Sequence, residues 1–199
     1  PPQGGGGGRG GFGGGAPQGP IVMPGTYTVT VHVDGATSSE SAEIQADPRR
    51  TMTIGDRSAR QDVLMSLHDL AAPMNDATQA ARRLSGQLSE AEDLLGDFEG
   101  DVMDLEDELE AIQSELDEIS DGLVEARRWA GVAGAIQGSS TLPTEDQLWQ
   151  ADSAWDAVPP LVERLNLLLT NRVPTFNDSM NAMGVRPHPG EALRVPRRG

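Results

Sequence analysis

The chain has 199 residues and a formal net charge of −16, with all 15 basic residues arginine and no cysteine or lysine. The missing cysteine excludes disulfides, thiolate nucleophiles and cysteine-based zinc sites. The negative charge argues against nucleic acid, whose phosphates demand a basic face, and against an anionic membrane surface.

Residues 1–20 contain 11 of the 24 glycines and four prolines without a Gly-X-Y period, so collagen is excluded. Such a stretch cannot bury enough apolar surface to offset its ordering entropy and is expected to be a linker. Arg9-Gly10-Gly11-Phe12 is a single RGG-like copy on an acidic chain, and a plain linker is the better reading. The chain opens Pro1-Pro2-Gln3 with no signal peptide, so it is expected to be a piece of a longer protein. No apolar run approaches the roughly 18–20 residues needed to span a bilayer.

Residues 21–55 are expected to hold a β-hairpin. Tyr27, Val29, Val31 and Val33 alternate with Thr26, Thr28, Thr30 and His32, giving one apolar and one polar face. Pro24-Gly25 marks the entry turn, and Asp34-Gly35 marks the exit into a short polar loop. A weaker second strand follows, with Ala42, Ile44 and Ala46 on one face. Two strands alone are marginal in water, so further strands or the helices must cover the Tyr/Val face.

Residues 56–186 are expected to form a helical bundle. From Val63 and Leu67 through Leu123 and Ala126, apolar residues recur at alternating spacings of four and three, a heptad stripe without a skip. Ser58 with Gln61 offers a capping box, and Pro73 is expected to kink or split the first leg. The stripe fits one long helix or a hairpin folded at Gly96 and Gly100; each glycine costs about 1 kcal/mol in a helix interior, which favours the hairpin. Folding there gives legs over 58–95 and 101–137. A third leg, 144–184, opens with the capping box Thr144–Gln147 and carries Leu148, Ala151, Trp155, Val158, Val162 and Leu165 on its apolar face. Pro159-Pro160 and Pro174 are expected to kink or interrupt it, and Gly184 to cap it. Three matched legs predict a mainly α fold: an up-down-up, antiparallel three-helix bundle behind the hairpin. Residues 187–199 are expected to be a frayed tail.

Few residues suggest chemistry. His32, His68 and His188 fall in separate segments with no ligand spacing. No P-loop, Rossmann fingerprint or nucleophile elbow is present, so no catalytic or cofactor residue is assigned. Between Arg83 and Arg127 lie 16 Asp/Glu and no basic residue, read as a solvated face or as a dock for a basic partner. Within that run Asp97, Glu99 and Asp101, at the proposed turn, are the best candidates for a loose Ca²⁺ site, although the spacing is not that of an EF-hand. Trp155 is in register with the apolar stripe and is expected in the core, with Trp149 at its edge.

Several short passages carry a family resemblance: Pro24-Gly25-Thr26-Tyr27-Thr28-Val29, Val33-Asp34-Gly35, Asp47-Pro48-Arg49, Leu142-Pro143-Thr144, Val173-Pro174 with Phe176-Asn177, and Met183-Gly184. In this order, over residues 20–184, the chain resembles the C-terminal accessory region of secreted bacterial sortilin-like and sialidase-like β-propeller proteins with Asp-box repeats, often labelled glycosyl hydrolases. The resemblance implies the edge of an Ig-like sandwich followed by helices, in an extracellular or periplasmic protein. It implies as partners an upstream propeller of the same protein or other copies of the chain, with any hydrolase site outside these residues. The Asp-box itself does not occur here, so no catalytic residue is carried over. The alternatives are a self-assembling subunit joined through strand complementation and helix packing, and part of a hydrolase completed elsewhere.

Overall fold

A computed structural model describes residues 19–49 and 51–185. The linker reading of 1–18, the tail 187–199 and His188 lie outside the described residues. The element order is β1 (Gly25–Val33), β2 (Ala36–Ile44), α1 (Ile54–Gly96), α2 (Met103–Ala130), α3 (Val132–Gly138), α4 (Glu145–Leu167), a π-helical turn (Leu168–Arg172) and α5 (Val173–Ala182). The protein is therefore mainly helical, with an N-terminal antiparallel hairpin.

The hairpin turns tighter than its sequence suggested. Asp34 and Gly35 both have positive φ, 47° and 81°, the pattern of a two-residue type I′ turn. No polar loop follows. Ala36 pairs at once with Val33, and Thr37, Ser38 and Ser39 belong to β2. Ala46, expected on the second strand, lies beyond its end. Directly paired residues share a face, so the register places Val29, Val31 and Val33 beside Glu40, Ser38 and Ala36.

The first helix begins four residues before the expected leg. Its cap is Thr53, whose Oγ1 accepts from the Asp56 backbone N–H at 3.1 Å while Asp56 Oδ2 accepts from Thr53 N–H at 3.4 Å. The Ser58–Gln61 box is not used; an Asp three residues after a Thr closes the same reciprocal pair as a Glu or Gln does. Pro73 does not split α1, which runs unbroken for 43 residues, about 65 Å at 1.5 Å per residue. The chain then reverses between Asp97 and Val102, so the hairpin and not the single long helix is the fold. Phe98 and Val102 pack against the core, which is why the stripe shows no skip at the turn.

The second leg is α2 plus the short α3, joined at Gly131, whose N–H is shared among the carbonyls of Arg127, Arg128 and Trp129. The third leg opens on the expected box: Thr144 Oγ1 accepts from Gln147 N–H at 3.3 Å, and Gln147 Oε1 from Thr144 N–H at 3.0 Å. Pro159 and Pro160 lie inside α4 without interrupting it. They sit on its outer side, where water can serve the carbonyls they leave free. At Pro174 the ladder does change. Val173 N–H reaches back to the Leu168 carbonyl, and the widened turn relieves the clash a proline ring makes with the carbonyl four residues earlier. Gly184, at φ 93°, closes a Schellman motif, with Val185 N–H on the Met180 carbonyl at 2.9 Å and Gly184 N–H on Asn181 at 3.0 Å.

Cross-links fix the helix directions. Arg127 of α2 meets Asn75 of α1, and Gln113 meets Glu92, so α1 and α2 are antiparallel. Glu118 pairs with Arg164 and Glu108 with Arg172, so α2 and the third leg are antiparallel as well. The bundle is up-down-up. Its core is the heptad stripe of α1–α2 (Leu70, Leu84, Ile112 and Ile119 are effectively sealed) closed by Val158, Leu165, Leu168 and Met180 from the third leg.

Candidate interaction surface

Among the described residues, no group of three or more His, Cys, Asp or Glu is placed to hold a metal ion. Asp97, Glu99 and Asp101 are exposed around the α1–α2 turn. Asp101 Oδ1 accepts from the Met103 backbone N–H at 3.4 Å, and Asp97 is the C-cap of α1. The histidines stay apart. His32 Nδ1 lies 3.0 Å from Thr37 Oγ1 on the polar hairpin face, and His68 is half-buried on α1.

The acidic run is only partly a solvated face. Arg172, in the π turn, donates to Glu108 Oε1 at 2.8 Å from Nη2 and to Glu115 Oε2 at 2.8 Å from Nη1. Arg164 reaches Glu118 at 2.8 Å and Glu115 at 3.7 Å. The hydrogen bond to Glu108 lifts the Arg172 pKa above the ordinary arginine value; burial opposes this and Glu115 supports it. These pairs bridge residues 46–64 apart in sequence, so no local charge pattern announces them.

Two tryptophans behave as their register predicts. Trp155 is buried, and its Nε1 donates to the Ser66 carbonyl at 3.2 Å, locking α4 to α1. Trp149 is 59% exposed and meets Trp129 edge to face, with centroids 6.2 Å apart.

The strongest anomaly is apolar exposure at the hairpin end. Val29, Val31 and Val33 are 52%, 56% and 59% exposed on one face of a two-stranded sheet. The opposite face is satisfied across the strands, with Thr30 Oγ1 and Ser39 Oγ 2.8 Å apart. Among the described residues, the hairpin meets the bundle at its foot. Ile21 N–H donates to Gln137 Oε1 at 3.2 Å, and Ile21, Met23, Ile44 and Asp47 face Arg57, Gln61 and Leu64 across a cavity of about 270 Å³.

A second surface is the groove between α1 and α2–α3. At the hairpin end it holds a cavity of about 460 Å³ floored by Leu67, Ala71, Met74, Ala133 and Gly134. Farther along lies one of about 310 Å³ bounded by Ala81, Ser85, Ser120, Leu123 and Val124. Arg127 lines both, and crosses between them by donating from Nη2 to Asn75 Oδ1 at 2.9 Å and Thr78 Oγ1 at 3.2 Å.

Compared with family models, curated proteins and solved structures, the chain finds no match in any of the three. No helix of the described residues is long and apolar enough to cross a membrane.

Proposed function

We propose that the chain is a non-catalytic spacer or docking region of a larger secreted protein, in which the bundle carries the hairpin and the hairpin meets a β-rich neighbour. The observation behind this reading is the uncovered face of Val29, Val31 and Val33 beside a bundle whose own apolar stripe is closed. A half-exposed row of valines on two strands lacks the third layer that makes a sheet stable. The resemblance to the accessory region of secreted sortilin-like and sialidase-like propeller proteins supplies the neighbour: an Ig-like sandwich and a propeller upstream, outside the cell or in the periplasm. On this reading any hydrolase chemistry belongs to the propeller.

The test is amide hydrogen exchange on this chain and on a longer version carrying the parent sequence that precedes Pro1. Protection of the Val29–Val33 amides is expected to rise at least tenfold in the longer protein and to collapse with Val31→Asp. Equal exchange in both proteins would count against the docking role.

Self-assembly is the second reading. It is favoured by the two outer edges of the hairpin, each presenting unpaired backbone groups that a strand from another copy can extend. Sedimentation decides it: a species whose mass is constant from micromolar to millimolar chain removes it.

A further inference from the structure

Arg127 is a cation without an anion. Acidic residues outnumber arginines 31 to 15 in this chain. Yet the Arg127 guanidinium is held by two neutral side chains, Asn75 Oδ1 at 2.9 Å and Thr78 Oγ1 at 3.2 Å, both from Nη2. Thr78 Oγ1 gives its own proton to the Met74 carbonyl at 2.7 Å, so it accepts from the guanidinium and fixes it in place. Among the described residues, no carboxylate lies within ion-pairing distance of Arg127. Its Nε and Nη1 hydrogens are left uncommitted.

The cavity of about 460 Å³ that Arg127 lines has the same bias. Among the described residues, no Asp or Glu lines it. Its two amides, Asn75 and Gln137, already use their oxygens, one for Arg127 and the other for the Ile21 N–H. That leaves their NH₂ ends, so the polar groups still open at this cavity are donors. The floor is apolar: Leu67 and Met74 are buried there, and Gly134 leaves it wide, since an added Cβ would meet nothing within 4 Å. A concave apolar floor with a few convergent donors is the build of a small-ligand pocket.

We propose that this cavity binds a medium-chain aliphatic carboxylate, its head group on Arg127 and its chain over Leu67 and Met74. A carboxylate offers two oxygens in the plane that a guanidinium fork matches. It brings one charge for one arginine, whereas a phosphate monoester brings about two. The net charge of −16 opposes an anion from afar. At physiological salt, however, screening reaches only about 8 Å, and the local cation decides. The pocket is separate from the valine face, so it stands independently of the docking role.

Calorimetric titration of the full chain with octanoate tests this. One saturable site per chain is expected, with octanol and octylammonium, which share the tail, binding at least tenfold more weakly. Arg127→Gln is expected to weaken octanoate at least tenfold. Gly134→Leu keeps Arg127, raises helix propensity and fills the open floor, so it should abolish binding without lowering the melting temperature. Val31→Asp, on the hairpin, should leave binding unchanged. Octanol binding as tightly as octanoate overturns the proposal. So does the absence of saturation, or binding that survives Gly134→Leu but is lost in Val31→Asp.

Discussion

Single residues divide by what stands opposite them. Gly86 and Gly122 both lie inside long helices, and sequence alone treats them alike. A Cβ at Gly86 would meet nothing within 4 Å, whereas one at Gly122 would come within 2.7 Å of Leu161 Cδ2 on the facing helix. Gly86→Ala therefore gains helix propensity at no steric cost, and stabilises the protein by about 0.5–1 kcal/mol. Gly122→Ala gains the same propensity but must push the partly buried Leu161 side chain aside, and nets about 0 kcal/mol or a loss. Urea titrations of the two variants check the difference. Among the polar residues, the triad of Arg172 with Glu108 and Glu115 was invisible to a linear reading, because its members sit on helices that only folding brings together. What the sequence did display was Trp155: its place in the apolar stripe gave its burial, although nothing announced its bond to the Ser66 carbonyl.

At the scale of elements, the helices and the hairpin are separate problems. The helices bury their stripes in one another, so their boundaries followed from periodicity to within a few residues; the N-cap of α1 moved only because Asp56 served where a Glu or Gln was sought. The prolines were harder. Pro73, Pro159 and Pro160 were expected to kink or interrupt helices, and none of them interrupts one, since packing along the whole length of each leg outweighs a lost hydrogen bond. Only Pro174 changes the ladder, by widening it. The hairpin depends instead on its turn. Gly35 holds φ 81°, a conformation a Cβ strains. Gly35→Ala is expected to destabilise the hairpin by about 1 kcal/mol or more. The measurable result is loss of the cross-strand amide protection at Val31 and Ser38, a hydrogen-bonded pair of the ladder, with the helical circular dichroism and the melting temperature of the bundle unchanged. A bundle that melted earlier in this variant would mean that the hairpin contributes to the main core.

The whole molecule is polarised. Apolar exposure gathers at the hairpin end (Val29, Val31, Val33, Trp149), while uncompensated carboxylates such as Asp97, Glu99 and Asp104 gather at the opposite turn. Arg164 and Arg172 neutralise only the middle of the acidic run. Arg172→Met leaves Glu108 without its cation and Glu115 with only Arg164 at 3.7 Å, and is expected to cost about 1 kcal/mol in low salt. The loss should shrink in 1 M salt, where the screening length falls to about 3 Å. Because the folded pKa of Arg172 is raised, its stabilisation is full below the ordinary arginine value and lost only as pH climbs through the still higher folded value. The difference between wild type and variant therefore gains no pH dependence from Arg172 across the neutral range, which melts at several pH values check. The amino-acid sequence by itself determined three amphipathic legs, the reversal near Gly96 and the two-faced hairpin, because periodicity, caps and turn residues act over a few positions. Tertiary structure alone decided the survival of the helical prolines, the Arg172 triad, the groove beside α1 and the bare valine face. Each of these depends on which surfaces lie opposite one another after the chain has folded, and residues far apart in sequence set that.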